Sequence, residues 1–227
     1  MAVQARQNLE ETQWLLDLSD EHDFIKSVVG RVDLRSTNAE DPLKTFSNHP
    51  KLKALRHVVH DEPDDRFMFQ PEFLRGLGLL AQFDLAYDLL LFPRHIPVAV
   101  EVVERFPDQK FVLDHLGKPD IKNQTFSAWD RGIERLASFP KVFCKLSGLV
   151  TEAVWNEWTY DEFVPAMDKV LDAFGPDRVM IGSDWPVCTL SGTYQETMDI
   201  VINYLGQFSF EVQDKVLGRN AALFYGI

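Results

Sequence analysis

The chain is poor in cysteine: Cys144 and Cys188 are the only two among its 227 residues. Two thiols cannot build the framework that staples small secreted domains. They fit a reducing compartment, where each serves as a small buried side chain rather than a nucleophile. Positive charge is also scarce, with 23 Lys and Arg against 35 Asp and Glu, a formal net charge of -12. A face basic enough to hold nucleic acid or another polyanion is therefore not expected. No apolar run is long enough to span a membrane, and residues 1–6 lack the basic and then apolar build of a signal peptide. No Gly-x-Gly-x-x-Gly turn follows an early strand, which leaves a dinucleotide site without support. The expectation is a cytoplasmic protein with one domain over residues 1–227 and a small-molecule substrate. A homo-oligomer is compatible with that reading.

The sequence does contain short β-branched or apolar runs at intervals of roughly 30 residues, separated by stretches with helical spacing, as in successive βα units. The pattern predicts strands at Ser27–Leu34, Lys53–Val59, Ala86–Leu91, Lys110–Leu116, Lys141–Ser147 and Arg178–Ser183, with a short one at Ala2–Gln4. Helices are expected at Leu9–His22, Asp41–Ser47, Pro71–Gln82, Arg94–Phe106, Phe126–Phe139, Asp161–Phe174, Thr193–Leu205 and Glu211–Leu217. Phe106-Pro107, Phe139-Pro140 and Gly175-Pro176 supply the helix stops. The fold class is α/β, a (β/α)₈ TIM-type barrel one strand short, with the first βα unit expected to be missing at the N-terminus. A doubly wound open sheet is the architectural alternative.

In a barrel of parallel strands the reactive groups sit at the C-terminal strand ends. His115 closes one strand and Asp184 another. Alternation places His115 on the face of Phe111 and Leu113, with Asp114 on the opposite face. Alone, His115 reads as a loop hydrogen-bonder and Asp184 as a turn cap. Together at one mouth they can share a metal, or act as base and polarising acid on a carbonyl. Further polar groups gather at the same end. Arg56 could hold a substrate carboxylate or form a salt bridge inside the barrel. His57, Tyr87, Asp88, Lys145 and Ser147 also lie at strand ends, while Trp155, Trp158 and Trp185 either line a pocket or anchor loops. Arg31 and Asp33 are expected to pair with each other or with their neighbours.

Three segments carry a resemblance. They are Phe111-Val-Leu-Asp-His-Leu-Gly-Lys-Pro, Val142-Phe-Cys-Lys-Leu-Ser-Gly-Leu-Val-Thr-Glu-Ala and Val179-Met-Ile-Gly-Ser-Asp-Trp-Pro-Val. With Gly30-Arg-Val-Asp-Leu, Leu55-Arg-His-Val-Val-His-Asp-Glu-Pro and Asn220-Ala-Ala-Leu-Phe-Tyr-Gly, they resemble the amidohydrolase-related family. The likeness is narrowest to its sugar-acid lactonases of the L-fuconolactonase and L-rhamnonolactonase type. It implies an eight-unit barrel in which His115 and Asp184 bind a divalent metal such as zinc or, in metal-free members, activate water. Members also present a His-Xaa-His pair at the end of the first strand, and no such pair occurs in this sequence. That agrees with the strand count. It leaves two metal ligands where catalytic zinc ordinarily takes three and a water.

The reaction implied is opening of an aldonolactone ring. Asp184 takes the proton of the attacking water and His115 polarises the carbonyl or helps hold a metal. Arg56, His57, Tyr87, Lys145 and Trp185 bind the substrate. The alternatives are hydrolysis of an aromatic-degradation lactone or a decarboxylation by the same groups, and a barrel that binds without catalysis.

Overall fold

The computed structural model describes residues 1–227. Strand β1 (Ala2–Val3) is followed by α1 (Leu9–Glu21), β2 (Val28–Gly30), α2 (Glu40–Ser47), β3 (Leu52–Val58) and α3 (Pro71–Leu77). The chain continues through β4 (Ala86–Leu90), α4 (Ile96–Arg105), β5 (Phe111–Leu113), α5 (Ser127–Ala137), β6 (Val142–Leu146) and α6 (Val164–Phe174). It ends with β7 (Val179–Ile181), α7 (Tyr194–Leu205), α8 (Phe210–Asp214) and α9 (Asn220–Tyr225). All seven strands are parallel and neighbour one another in sequence order. The sheet curls as barrel strands do but is open between β7 and β1. No helix is long and apolar enough to cross a membrane.

Local chemistry explains most of the boundaries. The Asn8 side chain accepts from the amide of Glu11 and caps α1, and Glu10 and Glu11 in the first turn favour the positive end of the helix dipole. Thr12, Leu15, Leu16 and Ser19 then form one buried stripe at helical spacing. Thr193 and Glu196 close a capping box at the start of α7. Helix α6 stops at Gly175, whose φ of 71° suits glycine, and Pro176 follows.

Three expectations shift. The strand expected at Lys110–Leu116 ends at Leu113, because His115 and Leu116 take positive φ and leave the sheet. The helix expected over Pro71–Gln82 divides into α3 and a separate tight turn at Leu80–Phe83. The closing helix at Glu211–Leu217 is instead α8, a wide turn at Lys215–Arg219 with i→i+5 character, and α9.

Two apolar clusters result. The larger, of 53 buried residues, fills the space between sheet and helices and takes Tyr87, Leu89, Phe111, Leu113, Cys144 and Val179 from the outward strand faces. The smaller collects Val29, Ala54, Ala86, Val112 and Met180 from the inward faces, plugged by Phe224 and Tyr225 of α9. The alternation of strand side chains is thus realised as helix side against barrel interior. Above that inner plug the interior becomes polar.

Close packing fixes α3 against the segment after β2. A Cβ on Gly76 would lie 2.0 Å from the Leu34 carbonyl oxygen, a backbone atom that cannot step aside. Gly76→Ala should therefore lower stability by about 1–3 kcal/mol through overpacking. Urea unfolding measures it, and an unchanged midpoint would mean that α3 can move off the loop.

Candidate active site

The polar interior is built by the inward residues that follow the apolar plug. Arg56 from β3, Asp88 from β4, Lys145 from β6 and Asp114, just beyond β5, meet inside the barrel. Arg56 Nη1 lies 2.8 Å from Asp114 Oδ2, and Lys145 Nζ lies 2.7 Å from Asp114 Oδ1 and 2.5 Å from Asp88 Oδ2. Gln4 accepts from Arg56 Nε at 2.9 Å, and the Tyr225 hydroxyl donates to Asp88 at 3.0 Å. Two cations are balanced by two carboxylates, and all four side chains are largely withdrawn from water. Burial alone would raise Asp114, but the charges of Lys145 and Arg56 outweigh it and hold that carboxyl well below the usual range. Burial likewise acts to lower Lys145, and Asp114 and Asp88 reverse the effect, so the lysine stays charged.

With Asp114 committed inward, simple alternation would send His115 outward among the helices. It goes elsewhere. His115, Leu116, Gly117 and Lys118 have φ of 54°, 53°, 70° and 54°, a left-handed turn that swings the imidazole over the barrel mouth. Each non-glycine residue in that region costs on the order of 1–3 kcal/mol, which marks the turn as held by its surroundings. The expected sharing of a face by His115, Phe111 and Leu113 is therefore corrected: the strand has ended before His115 is reached. Gly148, with φ of 62°, passes so close that a Cβ there would stand 2.7 Å from the imidazole Cγ.

His115 Nδ1 lies 2.8 Å from the Ser147 hydroxyl, and Nε2 faces Asp184 Oδ1 at 3.5 Å. Asp184 also has positive φ, 54°, which directs its carboxyl to the mouth. Burial, the largest influence, pushes His115 down to about 3 despite the charge of Asp114, so the ring is neutral at neutral pH. Burial also raises Asp184 to about 6, with Lys118 opposing that rise most strongly. The pair thus offers a neutral imidazole beside a carboxylate that ionises just below neutrality, a combination suited to general base and electrophilic chemistry.

The other expected site residues divide. Trp185 stands at the mouth, 63% exposed. Arg56 forms a salt bridge inside the barrel, one of its two expected roles, and Lys145 joins the same interior ion cluster. Tyr87 and His57 depart further from expectation, because each lies on the helix side of its strand. Tyr87 packs edge-on to Phe73 and Phe111, and His57 stacks on Phe67 and contacts Glu62 at 2.6 Å. Arg31 bonds Gln7, while Asp33 pairs with its neighbour Arg35 at 3.8 Å, the second of the two expected arrangements for that carboxylate. The indoles of Trp155 and Trp158 donate to Thr151 and Ser191 carbonyls as loop anchors. The sequence places Ser147 only at a strand end, and its contact with His115 depends on the turn. Lys118 and Glu152, 2.5 Å apart beside the mouth, lie within two of the recognisable segments, but nothing local in either segment pairs them. Nothing local in the segments around Tyr225 and Gln4 indicates that they reach this cluster.

This is the geometry of a (β/α)-barrel enzyme with its reactive groups at the strand ends. The chain belongs to the amidohydrolase family, whose model matches residues 2–227. It is 37% identical over 238 residues to an L-fucono-1,5-lactonase of Burkholderia multivorans, covering the whole chain and 80% of that protein. A Burkholderia ambifaria L-fucono-1,5-lactonase is 34% identical, again over the whole chain and 79% of the relative. A crystal structure of a Burkholderia multivorans amidohydrolase with bound zinc superposes with a TM-score of 0.95 at 36% identity, covering all of this chain and 82% of that one.

Whether the residues here suit such an ion is a matter of donors. No group of three or more His, Cys, Asp and Glu side chains is arranged to hold a metal. His115 and Asp184 face each other, but the neighbouring Asp114 is engaged by two cations. Two protein ligands fall short of the three of catalytic zinc, so the set does not fit and no step below is routed through a metal.

Two outcomes follow. Lys145→Met leaves Asp88 and Asp114 without their shared cation and should cost about 3–5 kcal/mol in denaturant unfolding; a loss below about 1 kcal/mol would show that the cluster relaxes or takes in water. Equilibrium dialysis of the chain against zinc should retain less than one tightly held ion per molecule. A stoichiometric ion that survives a chelator wash would reveal a third ligand.

Proposed function

We propose that the protein hydrolyses the ring ester of a sugar-acid lactone, of the L-fucono- or L-rhamnono-lactone kind. The observation that carries this reading is the pairing of His115 Nε2 with Asp184 Oδ1, 3.5 Å apart at the barrel mouth. Its substrate class rests on the lactonase relatives, among which an L-rhamnono-gamma-lactonase of Scheffersomyces stipitis is 27% identical over 61% of this chain and 47% of its own length.

Two groups at that separation can both touch one water at about 2.8 Å each. Ionised Asp184 takes its proton as it attacks the lactone carbonyl. With the proton on Nε2, Nδ1 accepts from the Ser147 hydroxyl, which can donate as readily as accept. Neutral His115 then donates to the carbonyl oxygen as negative charge develops there. A donor pre-aligned in a dry site stabilises the tetrahedral oxyanion more than a mobile water can, because it needs no reorganisation. The ring oxygen leaves as the alcohol, and the proton taken by Asp184 supplies its hydrogen. Trp185 shields one side of the mouth. The interior cluster of Arg56, Asp114, Lys145 and Asp88 holds the strand ends that carry His115.

Proton release from L-fucono-1,5-lactone and L-rhamnono-lactone at neutral pH tests the reaction. No release with any sugar lactone would refute it. Asp184→Asn should lower kcat/KM by about 10²- to 10⁴-fold. Because burial raises the Asp184 carboxyl to about 6, it is protonated and useless as a base below that pH. The wild-type kcat/KM should therefore climb to a plateau with a midpoint near 6, and a wild-type enzyme equally active at pH 5 and 8 would exclude Asp184 as the base.

A further inference from the structure

A cavity of about 310 Å³ is walled by Phe92, Pro93, Arg94, Lys118, Asp120 and Glu152; neither His115 nor Asp184 lines it, but Lys118 ends the turn that carries His115. We propose that this cavity is the subsite for the hydroxyl-bearing part of the lactone, with Glu152 and Lys118 as its specificity-determining pair. The inference rests on the lactone reading above and names what that reading leaves open: how the sugar is told from other cyclic esters.

The backbone ties this cavity to the reactive groups. Lys118 closes the left-handed turn that begins at His115, and its amide donates to the His115 carbonyl at 2.7 Å. The strained turn thus sets the imidazole and the lysine at a constant offset. The Lys118 ammonium rests 2.5 Å from Glu152 Oε1 and 5.5 Å from the centre of the Phe92 ring. Both side chains are held, at 12% and 16% exposure, yet they line the open cavity. Glu152 is also a wall of a second recess of about 560 Å³, shared with Thr151 and Trp155.

The charges of the cavity point to its ligand. Arg94 and Lys118 are matched by Asp120 and Glu152, so there is no excess of either sign. A dianionic aromatic acid would find no net attraction, whereas a neutral polyol meets both donors and acceptors. Arg94 is already paired with Asp65, and Asp120 holds Asn123, which leaves the lysine–glutamate pair to do the recognising. An ammonium has three N–H donors and a carboxylate about four lone-pair positions. Their mutual contact spends one of each and the Thr151 hydroxyl, 3.5 Å from Glu152 Oε1, a second carboxylate position; the remainder can bracket adjacent hydroxyls that both donate and accept.

Two substrates separate recognition from chemistry: L-fucono-1,5-lactone, which carries ring hydroxyls, and δ-valerolactone, which carries none. In Glu152→Gln and Lys118→Met, kcat/KM for the hydroxylated lactone should fall about 10- to 100-fold, mainly through KM, as expected for a lost hydrogen bond to a charged group. Both charges also act on Asp184, so the diagnostic is the ratio of kcat/KM between the two substrates: any change in Asp184 ionisation is common to both and cancels, and the hydroxylated lactone should still lose about 10- to 100-fold relative to δ-valerolactone, where no hydrogen bond is lost. Equal losses on both substrates, or none on either, would overturn the proposal. Calorimetric titration with L-fuconate and with 5-hydroxypentanoate reads the same contrast without turnover. If wild type binds L-fuconate and Glu152→Gln does not, while no lactone is hydrolysed, the reaction assignment fails and the subsite stands. If hydrolysis is normal and both variants keep wild-type KM, the subsite alone is wrong. Glu152→Gln is nearly isosteric, so it decides the matter should Lys118→Met lose its thermal transition.

Discussion

The pairing of Arg56 and Lys145 with Asp114 and Asp88 inside the barrel constrains everything built above it. Charges withdrawn from water are tolerated only as a complete, well-aligned set, and loss of one partner strands the others. Because the four side chains come from β3, β4, β6 and the residue after β5, the set holds those strand ends in register. Gln4 and Tyr225 attach β1 and α9 to the same cluster. The C-terminal helix is in this way bound to the polar interior as well as to the apolar plug beneath it.

From that commitment follows the placing of the reactive pair. A strand offers its interior face only at every second residue, and Asp114 takes the last such position just past the end of β5. His115 can reach the mouth only by leaving the strand, and the left-handed turn is how it does so. Four of the seven non-glycine residues with positive φ, His115, Leu116, Lys118 and Asp184, stand around the mouth. Conformational strain is concentrated where the chemistry needs groups aimed across strands.

Burial then acts on the pair in opposite chemical senses. Withdrawal from water favours the neutral form of each group, which lowers a histidine and raises an aspartate. The result is an imidazole that stays uncharged across the physiological range and a carboxylate that can gain or lose a proton near pH 6. Lys118 moderates the second shift and belongs to the adjacent cavity, so the reactive pair and the cavity share one electrostatic environment.

The repeating spacing of apolar runs, the helix stops at Pro107, Pro140 and Gly175, and the polar ends of the strands made the parallel βα architecture readable, because period and punctuation are local properties of the chain. The same locality brought out His115 and Asp184, each the last reactive group of its segment. It did not reveal that His57 and Tyr87 face the helices, since the direction of a strand is fixed only when its neighbours pack. It offered an internal salt bridge for Arg56 but not its partners, and it could not show that Lys145 joins Asp88 and Asp114, or that Ser147, Lys118 and Glu152 converge on the mouth. Those contacts join residues 32, 34, 57 and 58 positions apart. Sequence by itself determined which elements form and which groups end them. The tertiary structure decided which of those groups meet, because pairing across a sheet and a turn with positive φ depend on packing that no single segment contains.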